Sequence, residues 1–76
     1  MPKFEISAAE LSQFKTTIQM RRAKMGLTLV QASNLIGCNR SYLSALELYE
    51  AKPSLGMLFK IGKVYKISYT KLLGRG

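Results

Sequence analysis

Thr28-Leu29-Val30-Gln31-Ala32-Ser33-Asn34-Leu35-Ile36-Gly37-Cys38-Asn39-Arg40-Ser41-Tyr42-Leu43-Ser44-Ala45-Leu46 is the stretch that decides the fold. Thr28 followed by Gln31 is a capping box, in which each side chain accepts from the other residue's amide and so starts a helix. Val30, Ala32, Leu35 and Ile36 are the apolar positions this helix can turn inward. Gly37 stops it, because glycine tolerates the backbone that closes a helix. Asn39 then caps a second short helix, with Leu43 and Leu46 inward and Arg40, Ser41, Ser44 and Ala45 on another face. A three-residue turn between two short helices forces a steep crossing, and such a crossing would bury Ala32, Ile36, Cys38, Leu43 and Leu46.

The flanks carry the same punctuation. Ser7-Ala8-Ala9-Glu10 is a capping box, with Ile6 and Leu11 at hydrophobic-staple positions. Leu11, Phe14, Ile18 and Met25 recur at helical spacing, Arg21, Arg22 and Lys24 suit the negative end of the helix dipole, and Gly26 ends the helix. Downstream, Ser54 after Pro53 caps a helix whose stripe is Leu55, Leu58, Ile61 and Tyr65. Gly62 marks a close approach of another helix. Ser68 caps a short fifth helix ending at Leu72-Leu73. No stretch alternates in the manner of a strand. The division is residues 1–6 as an N-terminal arm, 7–73 as the domain and 74–76 as a frayed tail.

Composition narrows the chemistry. Twelve Lys and Arg stand against four acids in 76 residues, a net charge of +8, with no His and one Cys. A structural zinc site needs four Cys or His ligands, so no metal is expected. Acid–base and nucleophilic catalysis have almost no residues to use, and neither enzyme activity nor a cofactor is expected. There is no apolar run of signal-peptide or transmembrane length. A single Cys gives no intramolecular disulfide and suits a reducing compartment. A basic binding module remains, with an anion, most commonly nucleic acid, as its partner.

With these residues in hand, the chain resembles the helix-turn-helix of phage Cro and repressor proteins and the related xenobiotic-response-element family of bacterial regulators. The resemblance runs from about Phe14 to Leu73. It is carried by Arg22 before Gly26-Leu27-Thr28, by Leu35-Ile36-Gly37-Cys38-Asn39, by Ser41-Tyr42-Leu43-Ser44-Ala45-Leu46-Glu47, and by Pro53-Ser54-Leu55 with Leu58, Ile61, Ile67-Ser68 and Leu72-Leu73.

The resemblance implies an all-α, compact five-helix, lambda-repressor-like DNA-binding domain in the bacterial cytoplasm or nucleoid. It further implies a homodimer on a two-fold operator in double-stranded DNA, with no role at a membrane. Base contacts carry over to Arg40, Ser41, Ser44 and Ala45, and phosphate contacts to Thr28, Leu29, Asn39, Tyr42, Lys52 and Ser54. A structural ion pair carries over to Arg22 and Glu47.

The chain departs from the family at Leu29, where Gln is frequent, at Ala32-Ser33 in place of Leu-Ala, and at Leu48-Tyr49-Glu50 in place of a basic or amide residue and Gly. Glu50 would repel a phosphate, which leaves Lys52 as the main contact from that loop. A dimer would use this domain's own surface, with Tyr65, Tyr69, Leu72 and Leu73 as candidates.

Each reading has a plainer one beside it. Arg40 reads as a guanine contact, a phosphate contact or a solvated charge; Ser41 and Ser44 read as base contacts or small surface residues; Tyr42 reads as a phosphate donor or a ring on the core rim. Cys38 reads as a small buried hydrophobe or a redox switch, and Lys60, Lys63 and Lys66 read as a solvated basic run or a surface that binds something. A protein-interaction module, such as an antitoxin or anti-repressor, is the alternative function, and the apolar, acidic Leu48-Tyr49-Glu50 segment favours it.

Overall fold

The computed structural model describes residues 4–49 and 51–75. In order, the helices are α1 (Ala8–Lys24), α2 (Leu29–Ile36), α3 (Arg40–Leu48), α4 (Leu55–Tyr65) and α5 (Tyr69–Leu72), and the described residues contain no strand. Each helix starts where a side chain can replace the missing intrahelical partner. Ser7, Thr28, Asn39, Ser54 and Ser68 all accept from the amide three residues on, and Ser7 and Thr28 complete reciprocal capping boxes with Glu10 and Gln31.

The core is one cluster built around Phe14, Ile18, Leu43, Leu46, Leu58, Ile61, Tyr65, Leu72 and Leu73. α1 packs against α3, α4 and α5, while α2 packs against α3 and α4. Ile6, ahead of α1, and Leu11, in its first turn, are both buried in this cluster.

The apolar stripes are narrower than the spacing suggested. Met25 is largely exposed at the end of α1, where the helix has already closed on Gly26. Val30 and Leu35 are 51% and 58% exposed, while Ala32, Ser33 and Ile36 take the inward face of α2. At 100° per residue Val30 and Leu35 lie roughly 110° from the centre of that face. The buried Ser33 hydroxyl is satisfied by donating to the Val30 carbonyl at 2.9 Å, which lets a small polar residue sit where a larger apolar one would hold the helices apart.

α5 corrects a second expectation. It folds back onto α1 and α4, and so buries Tyr65, Leu72 and Leu73, all at or below 1% exposure, which removes them as dimer-surface residues. Only Tyr69 of that set keeps partial exposure, with its ring edge-on to Phe59 at 5.2 Å. The close approach at Gly62 is also real but different in kind: a side chain there would run into the Ile67 carbonyl of the α4–α5 turn, rather than another helix axis.

In the expected tail, residues 74–76, Arg75 has named partners. Its guanidinium pairs with Glu10, donates to the Glu5 carbonyl at 3.1 Å, and lies 5.7 Å from the Phe4 ring centroid. Gly76 lies outside the described residues, as do residues 1–3 of the arm.

Candidate nucleic-acid interface

Between α2 and α3 the chain needs three residues, Gly37, Cys38 and Asn39. Gly37 adopts φ 91°, a left-handed backbone that other residues reach only with strain. The amides of Gly37 and Cys38 both donate to the Ser33 carbonyl, at 2.8 and 3.0 Å, which closes α2 in one turn. Cys38 is half-buried against the core, and burial pushes its thiol above the ordinary value. Such a thiol is less reactive than a free one. Asn39 Oδ1 then accepts from the Tyr42 amide at 2.7 Å and starts α3.

α3 buries Leu43, Leu46 and Glu47. Its opposite face begins with Arg40 and Ser41, both exposed, continues through the half-buried Ser44 and Ala45, and ends at Leu48. Leu48, the last residue of α3, is 62% exposed on this same face. Tyr42 lies to the side, packed on the core rim, and burial raises its hydroxyl pKa.

α1 holds α3 from behind through polar side chains. Arg22 Nε donates to Glu47 Oε2 at 2.8 Å and its Nη2 to Oε1 at 2.9 Å, while Nη1 donates to the Leu27 carbonyl at 3.0 Å. The guanidinium pKa is raised first by the hydrogen bonds to Glu47. Lys15 Nζ donates to the Leu46 carbonyl at 2.9 Å, and Gln19 donates to the Glu47 carbonyl. These carbonyls are at the C-terminal end of α3, where a helix has no partners of its own and its dipole favours cations. Lys15 and Gln19 were missed in the sequence because single polar residues read as solvated. Their spacing with Arg22, four and then three residues, was the available signal of one shared face.

The remaining sequence candidates divide by what their side chains already do. Thr28 and Ser54 accept from the Gln31 and Met57 amides, each at 3.1 Å. With Asn39, they therefore keep a hydroxyl proton or amide to donate outward. Leu29 packs its side chain on the core, so only its backbone N–H is of use to an anion. Lys52 is exposed beside Pro53. Glu50 lies outside the described residues. Among the described residues no His, Cys, Asp and Glu cluster could hold a metal, and no helix is long and apolar enough to cross a membrane.

Residues 18–72 match the family model described as helix-turn-helix, and the chain belongs to this Cro/C1-type family of DNA-binding regulators. The fold is also that of a solved structure, the hypothetical transcription factor NHTF from Neisseria. The TM-score is 0.78 at 17% identity, over 96% of this chain and 86% of that one. No curated protein matches the chain.

Proposed function

We propose that the protein is a sequence-specific transcriptional repressor that reads its operator with α3 in the major groove. The observation that carries this reading is the free face of α3. Arg40 and Ser41 stand exposed at its N-terminal end, and its C-terminal end is tied to α1 by Lys15, Gln19 and Arg22. A helix held in this way presents a fixed set of side chains, and a single helix fits the major groove.

Arg40 is the side chain there that can donate two parallel hydrogen bonds to guanine O6 and N7. Ser41, Ser44 and Ala45 complete the base-facing set. The outward donors of Thr28, Asn39 and Ser54, the Leu29 backbone N–H, the Tyr42 hydroxyl and Lys52 are the phosphate contacts, which set register without reading bases. One such face covers few base pairs, so two copies on a two-fold site supply the specificity.

A second reading, a protein-interaction module such as an antitoxin or anti-repressor, is favoured by Leu48 and Tyr49, two large apolar side chains left 62% and 67% exposed at the end of α3. Selection of bound duplexes from a random pool separates the two. A palindromic motif supports the operator reading and its two-copy stoichiometry. A pool that returns no motif excludes it and leaves the interaction module.

A further inference from the structure

We propose that the surface built by Met20, Arg21 and Lys24 of α1 with Lys63, Ile67 and Phe59 is a docking groove for an acidic amphipathic helix of a partner protein. Two shallow grooves meet at Ile67. One runs along Thr17, Met20, Arg21 and Lys24, and the other along Phe59, Gly62, Lys63 and Tyr69. Their walls are mainly apolar, and among the residues that line them Met20 is 67% exposed and Phe59 54%. Arg21 and Lys24 edge one groove and Lys63 the other. Among the described residues, none of these three cations is in an ion pair, and two of the chain's four acids, Glu47 and Glu10, are held by Arg22 and Arg75.

Charge decides the occupant. A second copy is disfavoured: a two-fold pairing would bring Arg21, Lys24 and Lys63 against a chain of net charge +8 whose described acids are mostly paired. A phosphate backbone would use the cations but leave the apolar floor against a polar ligand. An amphipathic helix with carboxylates flanking its apolar stripe uses both features at once, and methionine adapts to varied apolar anchors. On α1, Lys15, Gln19 and Arg22 face α3, whereas Met20, Arg21 and Lys24 lie roughly half a turn round the helix. Occupancy of the groove therefore leaves α3 open. That last point rests on α3 as the DNA-facing helix; the groove and its occupant do not.

The test is an NMR titration of the full ¹⁵N-labelled chain with a synthetic helical peptide carrying leucines at i, i+4 and i+7 flanked by glutamates. A matching peptide has every glutamate replaced by glutamine. Amide shifts should concentrate at Met20, Arg21, Lys24, Lys63 and Ile67, and the glutamine peptide should bind about tenfold more weakly. Arg21→Gln with Lys24→Gln, and separately Met20→Ser, should each weaken the acidic peptide by about tenfold with thermal melts unchanged. The proposal is overturned by shifts that are absent or fall elsewhere, by equal binding of the two peptides, or by unchanged binding to Met20→Ser. It is also overturned if a random-sequence duplex takes the same residues more tightly, which would make the groove a phosphate surface. Because no readout uses an operator, failure here is distinguishable from failure of the DNA-binding reading.

Discussion

Arg22 and Glu47, 25 residues apart, meet in a two-pronged ion pair with the Glu47 side chain almost wholly buried and the Arg22 side chain about three-quarters so. The pair joins α1 to α3, and the third arm of the guanidinium reaches the α1–α2 turn at Leu27. Its geometry fits the rigid donor fork of arginine and not the single ammonium of lysine.

Removing one partner should therefore cost more than removing both. Arg22→Ala leaves a buried carboxylate alone and should destabilise by about 3–5 kcal/mol. Arg22→Met with Glu47→Leu replaces the pair by apolar groups and should cost much less than either truncation alone. Urea unfolding of the two variants measures this, and an Arg22→Ala protein as stable as the parent would show that the pair carries no structural role.

Arg40 and Lys52 should separate by what they read. Arg40→Ala should cost about 1–3 kcal/mol on the selected operator and relax the preference at one base pair per half-site. Lys52→Ala should weaken all duplexes alike and lower the salt slope by about 0.9. Titration against the operator and a scrambled duplex at two salt concentrations distinguishes them. Equal losses on both duplexes for Arg40→Ala would make Arg40 a phosphate contact.

Tyr65 is buried with no hydrogen-bond partner for its hydroxyl, and burial, followed by the nearby Glu47 charge, pushes its pKa up to about 12. An unsatisfied buried polar group costs about 1–3 kcal/mol. Tyr65→Phe keeps the ring and removes the unpaired oxygen, so it should leave stability unchanged or raise it. A clear loss in the urea midpoint would mean that the hydroxyl has a partner in solution.

Glu10 has its carboxyl lowered from 4.5 to about 2, first by the hydrogen bond from Arg75 and then by the Ser7 amide. A lowered folded-state pKa means that the unfolded chain binds the proton more readily. The stabilisation is thus complete above the unfolded value and is lost as pH falls through the folded one. The difference in melting temperature between the parent and Glu10→Gln should be constant at neutral pH, shrink below 4.5 and vanish near 2. The site is exposed, so the difference is small and screened by salt. A difference independent of pH would exclude the charge as its source.

The helices and their joints were legible in the sequence because they depend on residues a few positions apart. Ser7, Thr28, Asn39, Ser54 and Ser68 each cap the helix they precede, and Gly37 breaks α2 from α3, as local hydrogen bonding and backbone sterics require. Burial was not local. Spacing could place Val30 and Leu35 on a helix, but only the packing of α2 against α3 and α4 turned Ser33 inward and left both outside. Leu72 and Leu73 were candidates for a dimer surface, and the return of α5 onto α1 and α4 made them core. Nor could the sequence tell a solvated lysine from one that closes another helix. Lys15 and Gln19 meet the α3 carbonyls only because the chain between them folds α3 across α1, and long-range geometry of that kind is the property of the whole packed core.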